Sequence, residues 1–265
     1  MDKNKVLVLG KGFLGKKFEQ RGFKVWGKER FTLFPGADVN LRARDFYDVD
    51  VIINCMGKSN TRWCEQRENF RATMFSNATI PGMLSDFCKK TGRRFVQIST
   101  GCVYDNNKEP QTEAEYLAAH CNYVVTKWAG EQNCSPDDLI LRPRLYFSDT
   151  EDRNNLLCKL PRFKSFLTEA NSFTSLDTIV DSTQALLDAG ATGTFNVACD
   201  GYATVQELAS WIGLSGPGIT EAQLHQSQGL YLVNNIMSLD KLKQYYQPPQ
   251  LRAEVERCQR TLKGS

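Results

Sequence analysis

The stretch from Lys5 to Gly15, KVLVLGKGFLG, constrains this chain more than any other. Its apolar run, Lys5 to Leu9, predicts a strand buried on both faces, as in a parallel sheet covered by helices. The run ends in Gly10-Lys11-Gly12-Phe13-Leu14-Gly15, and a helical pattern follows to about Arg21. Strand, G-x-G-x-x-G and helix in that order are the context in which such glycines serve a dinucleotide. They permit a tight turn and close approach of backbone to a pyrophosphate, while the helix N-terminus offers N–H groups and partial positive charge. Gly10, Gly12, Phe13, Leu14 and Gly15 are therefore candidate cofactor contacts.

A second strand, Phe23 to Trp26, leads into Gly27-Lys28-Glu29-Arg30. An NAD site usually places an acid at this strand end. Here two cations flank one acid, which favours a 2′-phosphate and hence NADP, with NAD as the alternative. Arg30 is the candidate contact, because a guanidinium grips phosphate bidentately. Asp38 and Val39 are placed by the adenine. A third strand, Asp50 to Asn54, ends in Cys55-Met56-Gly57, a turn expected beside the cofactor's ribose and nicotinamide. Arg62 to Ser76 reads as a helix, Ile80-Pro81-Gly82 as a break or kink, and the helical pattern resumes to Lys90. Phe95 to Ile98 and Leu139 to Leu141 are further strands, the latter followed by Arg142-Pro143-Arg144. This alternation over 5–142 predicts an α/β fold of Rossmann type, with a doubly wound parallel sheet.

Beyond Arg144 the alternation stops. Residues 145–173 read as loop, with a short helix around Leu156 to Leu160. An amphipathic helix over Asp177 to Ala189, a strand over Gly193 to Val197, a helix entered through a Thr204/Glu207 capping box and a final polar helix complete the pattern. The expected organisation is a nucleotide-binding domain over 1–143, to which 174–197 return, and a smaller C-terminal substrate lobe made of 144–173 and 198–265.

Candidate chemistry lies within the first of these regions, over the carboxyl ends of its strands. The fourth strand delivers Ser99-Thr100 to its end, and Tyr123 and Lys127 follow four residues apart. On a helix, positions i and i+4 share a face. A phenol and an ammonium on one face, meeting a strand-end hydroxyl, suit carbonyl reduction: hydride reaches carbon and the phenol protonates oxygen. The lysine is expected to lower the phenol's pKa by its charge. Other chemistries are disfavoured. Nine cysteines without a CxxC pair argue against a disulfide framework or zinc site, and two histidines, His120 and His225, against a histidine-based metal or triad centre. A net charge of +3 with no basic run points to neither nucleic acid nor a membrane surface. The N-terminal apolar run is too short for a signal segment or membrane span, so a soluble cytoplasmic protein is expected.

Gly10/Gly12/Gly15, Ser99-Thr100 and Tyr123-x-x-x-Lys127 together resemble the extended short-chain dehydrogenase/reductases, which act largely on nucleotide sugars. Within that group Cys55-Met56-Gly57, Trp63-Cys64-Glu65, Thr100-Gly101-Cys102-Val103-Tyr104, Leu141-Arg142-Pro143-Arg144, the run from Asn171 to Asp177, Gly193-Thr194-Phe195-Asn196 and the segment from Asn234 to Asp240 look like the UDP-4-keto-6-deoxyglucose 3,5-epimerase/4-reductases, kin of the dTDP-4-dehydrorhamnose reductases. The resemblance spans roughly 5–245. It implies an NADPH-dependent enzyme that makes UDP-L-rhamnose, with Thr100, Tyr123 and Lys127 as reductase residues, Cys102 as an epimerase acid/base and Lys159 as its partner. Arg142 and Arg144, Arg144 foremost, are candidates for the substrate diphosphate, and Asn154, Asn155 and Asn171 for the sugar or base. Relatives are often dimers through helices that correspond to Arg62 to Lys90 and Ala118 to Gln132. Three departures stand out: Met56 replaces a small alanine, the loop from Gly57 to Arg62 is short, and the insert from Asp105 to Tyr116 is compact. A stand-alone 4-reductase for another UDP- or dTDP-6-deoxysugar, and a non-catalytic NADP-binding regulatory subunit, are the alternatives.

Overall fold

The computed structural model describes residues 2–30, 46, 48–104, 107–115, 121–229 and 232–264. Asp38 and Val39 lie outside the described residues. The chain divides into two compact units. The first comprises 1–103, 119–141 and 186–195; the second comprises 104–118, 142–185 and 196–265. The expected boundaries put 104–118 with the nucleotide-binding region and 174–185 with its return. In the structure Tyr104 instead donates to Asn196 Oδ1 (2.6 Å) and accepts from Arg142 Nη1 (2.8 Å), which ties its segment into the second unit.

The first unit is built on a six-stranded sheet. Its strands are β1 (Val6–Leu9), β2 (Lys24–Trp26), β3 (Val51–Asn54), β4 (Arg94–Ile98), β5 (Leu139–Pro143) and β6 (Gly193–Val197), in the spatial order β6-β5-β4-β3-β1-β2. Pairing is parallel from β2 through β1, β3 and β4 to β5, with Leu7 opposite Lys24 and Ile52, Ile52 opposite Phe95, and Val96 opposite Leu139. All residues of β1 and β3 are buried, which explains their unbroken apolar runs. Alternate side chains of these strands, Leu7, Leu9, Ile52 and Phe95, meet Ile80, Leu84 and Cys88 of a helix on one face. Strand order reverses beside β1, so the carboxyl ends of β1, β3 and β4 open where a ligand of such a sheet binds.

Helix α1 (Phe13–Gln20) follows β1. The helical stretch after β3 differs from expectation. It starts as α2 (Thr61–Cys64), capped by the Asn60 side chain, passes through a tight turn at Arg67–Asn69 and becomes α3 (Phe70–Met74). It then widens to π winding over Phe75–Thr79 and continues without interruption as α4 (Ile80–Thr91). Ile80-Pro81-Gly82 is therefore not a break. Pro81 follows the π winding by two residues, inside the continuous helix, and the irregularity sits one turn earlier. Helix α5 (Asn122–Gln132) packs against that π turn. A Cβ on Gly130 would lie 2.0 Å from the Asn77 carbonyl oxygen, so the two backbones meet where α5 has no side chain.

The second unit has its own core, which includes Phe147, Phe166, Phe173, Leu208, Val255 and Cys258. The stretch 145–173 is less irregular than its sequence suggests. Tyr146–Phe147 pairs with Thr174–Ser175, Phe166–Leu167 with Gly218–Ile219, and Ala170–Asn171 with Ala203–Thr204. These two-residue strands are too short to show a period, which is why the sequence hides them. Helices α6 (Leu156–Lys159), α7 (Leu176–Asp188), α8 (Val205–Trp211), α9 (Glu221–Gln228) and α10 (Leu251–Gly264) follow. The Thr204/Glu207 capping box is present, and a second one, Thr220/Gln223, opens α9. Arg257 on α10 gathers Asp149, Asp177 and Glu254.

Candidate functional site

The three glycines of the first turn have three different reasons to be glycine. Gly10 has φ +107°, and a Cβ there would lie 2.9 Å from the Met56 nitrogen. Its N–H donates to the Trp26 carbonyl (2.8 Å), which stitches the turn to the end of β2. A Cβ on Gly15 would come within 1.9 Å of the Gly10 carbonyl oxygen, so α1 lies directly on the turn. Gly12 is unlike both. Its φ of −82° suits any residue, and a Cβ would meet nothing within 4 Å. The space beside Gly12, at the N-terminus of α1, is open, and the free N–H groups of such a terminus suit a pyrophosphate. Leu14 is buried in the core and Phe13 half-buried, so Leu14 can serve a ligand only through its backbone.

At the end of β2, Lys28, Glu29 and Arg30 are exposed in a turn closed by the Arg30 N–H on the Gly27 carbonyl (3.1 Å). Glu29 folds back to accept from the Gly27 N–H (3.2 Å). Arg30 is thus displayed on the surface with the acid turned toward the strand end. The indole Nε1 of Trp26 is buried and has no partner among the described residues.

The turn after β3 is held firmly. Asn54 donates to Gln97 Oε1 (2.8 Å) and accepts from the Met56 N–H (3.0 Å). Asn77, in the π turn, accepts from the Lys58 N–H (2.7 Å) and donates to the Lys58 carbonyl (3.0 Å) and to Thr126 Oγ1 (3.1 Å). The missing Cβ of Gly57 faces Asn77 Oδ1 at 3.1 Å and Lys127 Nζ at 3.9 Å. Cys55 and Gly57 therefore lie beside Lys127, and burial pushes the Cys55 thiol up against the lowering effect of Lys127.

Thr100, Cys102, Tyr123 and Lys127 come together at the carboxyl end of β4. Lys127 is buried and donates to the Ile98 carbonyl (2.7 Å). Cys102 donates its backbone N–H to Thr100 Oγ1 (3.2 Å), and the Thr100 side chain lies close enough to the Tyr123 phenol to oppose the rise of its pKa. Burial pushes Lys127 down to about 8, opposed first by the carboxylate of Glu131. The phenol of Tyr123 is pushed up, by burial first and by the Cys102 thiol next. This corrects the expectation that Lys127 lowers it: the ammonium is directed at the strand-end carbonyl, and desolvation decides the sign. A phenol that keeps its proton at neutral pH is a donor, as reduction of a carbonyl demands.

Residues not foreseen shape this arrangement. Ser99 Oγ makes a very short hydrogen bond to the buried Glu131 carboxylate. Glu65 Oε1 accepts from the Tyr123 N–H (3.4 Å), and Asn122 Nδ2 donates to the Cys64 carbonyl (3.3 Å), so Trp63-Cys64-Glu65 docks the start of α5. The signal for Glu131 was its i+4 spacing from Lys127, and the signal for Asn77 a polar residue among apolar helix positions.

The remaining candidates belong to the second unit. Lys159 ends α6, half-buried, and burial lowers its pKa against Asp152. Asn155 is fully buried and its amide is filled: it accepts from the Ser148 and Leu157 N–H groups and donates to the Ser148 and Thr150 carbonyls. Asn154 is exposed, its N–H on Asp152 Oδ1 (2.8 Å). Asn171 accepts from Arg144 Nη2 (2.6 Å) and Nε (3.2 Å) and donates to Asn234 and to the Glu169 carbonyl. Arg144, itself buried, also donates to the Val233 carbonyl. Arg142 stacks over Tyr104 and bonds its hydroxyl. Among the described residues no helix is long and apolar enough to cross a membrane, and none of the nine cysteines is in a disulfide.

Comparison with known proteins gives these positions a context. Residues 8–136 match the NAD dependent epimerase/dehydratase family. A Haloferax volcanii protein named "Probable low-salt glycan biosynthesis reductase" is 28% identical over 183 residues, 63% of this chain and 60% of that protein. An Arabidopsis thaliana trifunctional UDP-glucose 4,6-dehydratase/UDP-4-keto-6-deoxy-D-glucose 3,5-epimerase/UDP-4-keto-L-rhamnose-reductase is 24% identical over 77% of this chain, which matches only 33% of that longer protein. Among solved structures, the UDP-rhamnose synthase of Acanthamoeba polyphaga mimivirus superposes with a TM-score of 0.82 at 20% identity, covering 97% of this chain and 99% of that one. A dTDP-4-dehydrorhamnose reductase of Bacillus anthracis in complex with NADP gives 0.82 at 18% identity, covering 96% and 98%.

Proposed function

From the match of residues 8–136 to the NAD dependent epimerase/dehydratase family, we propose that this chain is a bifunctional 3,5-epimerase/4-reductase. Its substrate would be UDP-4-keto-6-deoxyglucose, its product UDP-L-rhamnose and its reductant NADPH. One observation carries the reading: Thr100, Cys102, Tyr123 and Lys127 gather at the carboxyl end of β4, with the Cys102 N–H on the Thr100 hydroxyl and Lys127 on the Ile98 carbonyl.

A nicotinamide dinucleotide supplies a hydride at the sugar's C4 when bound. Gly10, Gly12 and Gly15 would hold its pyrophosphate, Arg30 a 2′-phosphate, and the turn Cys55-Met56-Gly57 its nicotinamide side. In a 4-keto sugar the hydrogens on C3 and C5 are α to the carbonyl and acidic. The Cys102 thiolate takes such a proton, and its electron pair passes into the carbonyl as an enolate. Thr100 and Tyr123 hydrogen-bond the enolate oxygen as charge develops there. The resemblance to the epimerase/reductases assigns the opposing proton to Lys159, whose lowered pKa suits proton transfer. After inversion, Tyr123 gives its proton to O4 as hydride reaches C4. Similarity to the rhamnose-forming relatives supports this substrate, and a homodimer through the helices around Arg62 to Lys90 and Ala118 to Gln132 accords with it.

The test is proton exchange. UDP-4-keto-6-deoxyglucose incubated with the protein in deuterated water, without reductant, gains deuterium at C3 and C5. Retention of both protons would leave the second reading, a stand-alone 4-reductase, which the similarity to dTDP-4-dehydrorhamnose reductases favours. NADPH oxidation that survives Tyr123→Phe would remove both.

A further inference from the structure

We propose that Glu131 is a positioning residue of this site: its carboxylate anchors α5 to the end of β4 through Ser99 and serves as the counter-charge of the Lys127 ammonium. Glu131 is 4% exposed, one helical turn after Lys127 and on the same face of α5. Its Oε1 accepts from Ser99 Oγ, and the Ser99 backbone N–H donates to the Leu141 carbonyl (2.7 Å). Ser99 immediately precedes Thr100, so one side chain fixes the register between the strand that carries Thr100 and the helix that carries Tyr123.

A neutral amide would accept from Ser99 equally well. A buried carboxylate is costly unless a cation compensates it, so the choice of acid over amide needs a second cause. Lys127 supplies it. The ammonium donates to the Ile98 carbonyl at the end of the same strand. The groups around Lys127 are Glu131 and Cys134 on and just after α5, Cys55 from the end of β3, Asn77 from the π turn, and Tyr123 one turn earlier on α5. Of these Glu131 is the carboxylate, and it opposes the burial that drives Lys127 toward its neutral form. Glu131 itself takes no part in the reaction scheme. The proposal rests on the reading of Lys127 as a site residue and not on the identity of the sugar.

The experiment is a titration of the Lys127 ammonium by NMR in protein carrying labelled lysine, the resonance assigned by its loss in Lys127→Met. It needs neither substrate nor cofactor, so its outcome is separate from that of the proposed reaction. In Glu131→Gln the Lys127 midpoint falls by about one pH unit or more, as loss of a neighbouring opposite charge requires. In Ser99→Ala, which keeps the charge and removes the anchor, the midpoint stays while the melting temperature drops. An unmoved midpoint in Glu131→Gln, or an equal fall in Ser99→Ala, overturns the counter-charge role. If Glu131→Gln does not fold, Glu131→Asp decides. Its carboxylate, withdrawn by one methylene, lowers the midpoint; an unmoved or raised midpoint overturns the proposal.

Discussion

The glycine turn makes a prediction that separates fold from ligand. Gly15→Ala places a methyl 1.9 Å from the Gly10 carbonyl oxygen, where a carbon–oxygen contact needs well over 3 Å. The clash is with backbone on both sides, so α1 must lift from the turn. Overpacking of this kind costs roughly 1–3 kcal/mol, and often more when backbone must move. Alanine's helix propensity returns about 1 kcal/mol. A net loss of about 2 kcal/mol lowers the melting temperature of a chain this size by roughly 4–8 °C. Gly12→Val meets nothing within 4 Å, at a backbone geometry that valine tolerates. Its melting temperature therefore stays within about 2 °C of the parent's. The valine instead occupies the open space at the N-terminus of α1, and NADPH affinity falls at least about tenfold, or 1.4 kcal/mol. Thermal denaturation without cofactor and fluorescence titration with NADPH read the two effects separately. A Gly12→Val protein that is destabilised like Gly15→Ala but binds NADPH normally would refute this division.

Further outcomes follow from the same geometry. Gly130→Ala forces its methyl onto the Asn77 carbonyl at 2.0 Å, so thermal denaturation shows a loss of about 1–3 kcal/mol; a stabilised protein would mean the helix and the π turn are not in contact. Arg30→Ala weakens NADPH binding about tenfold and leaves NADH binding unchanged, as a guanidinium that grips the 2′-phosphate requires; equal losses for both cofactors would remove Arg30 from that role. Lys127 is cationic below about 8 and neutral above it. Turnover that needs the ammonium therefore declines as pH rises through that value, while the raised Tyr123 phenol keeps its proton. A rate that stays flat to about pH 10 would exclude Lys127 as the titrating group.

Much of the sheet was legible because burial on both faces leaves a direct record. Val6 to Leu9 and Val51 to Asn54 read as continuous apolar runs, and their bounds shift by only one residue. Thr100, Tyr123 and Lys127 were legible from a strand end and an i+4 spacing, which are local patterns. What was hidden depends on contacts distant in sequence. The π winding at Phe75–Thr79 packs against Gly130, some fifty residues later. The tasks of Asn155 and Asn171, filled by a cap and by Arg144, cannot be seen in the residues alone. The sign of the Tyr123 shift was misjudged because sequence spacing counts charges but not desolvation.

The division into units has a consequence for how such a chain can be altered. Its path passes from one unit to the other after residues 103, 118, 141, 185 and 195. Neither unit is a contiguous piece of gene. A single cut anywhere near the middle yields two fragments that each carry parts of both, so deletion mapping would report loss of function everywhere and locate nothing. Exchanging the second unit for that of a relative requires three cassettes inserted together, at 104–118, 142–185 and 196–265. Alteration of a chain threaded this way proceeds by substitution within the cassettes rather than by recombination of whole parts.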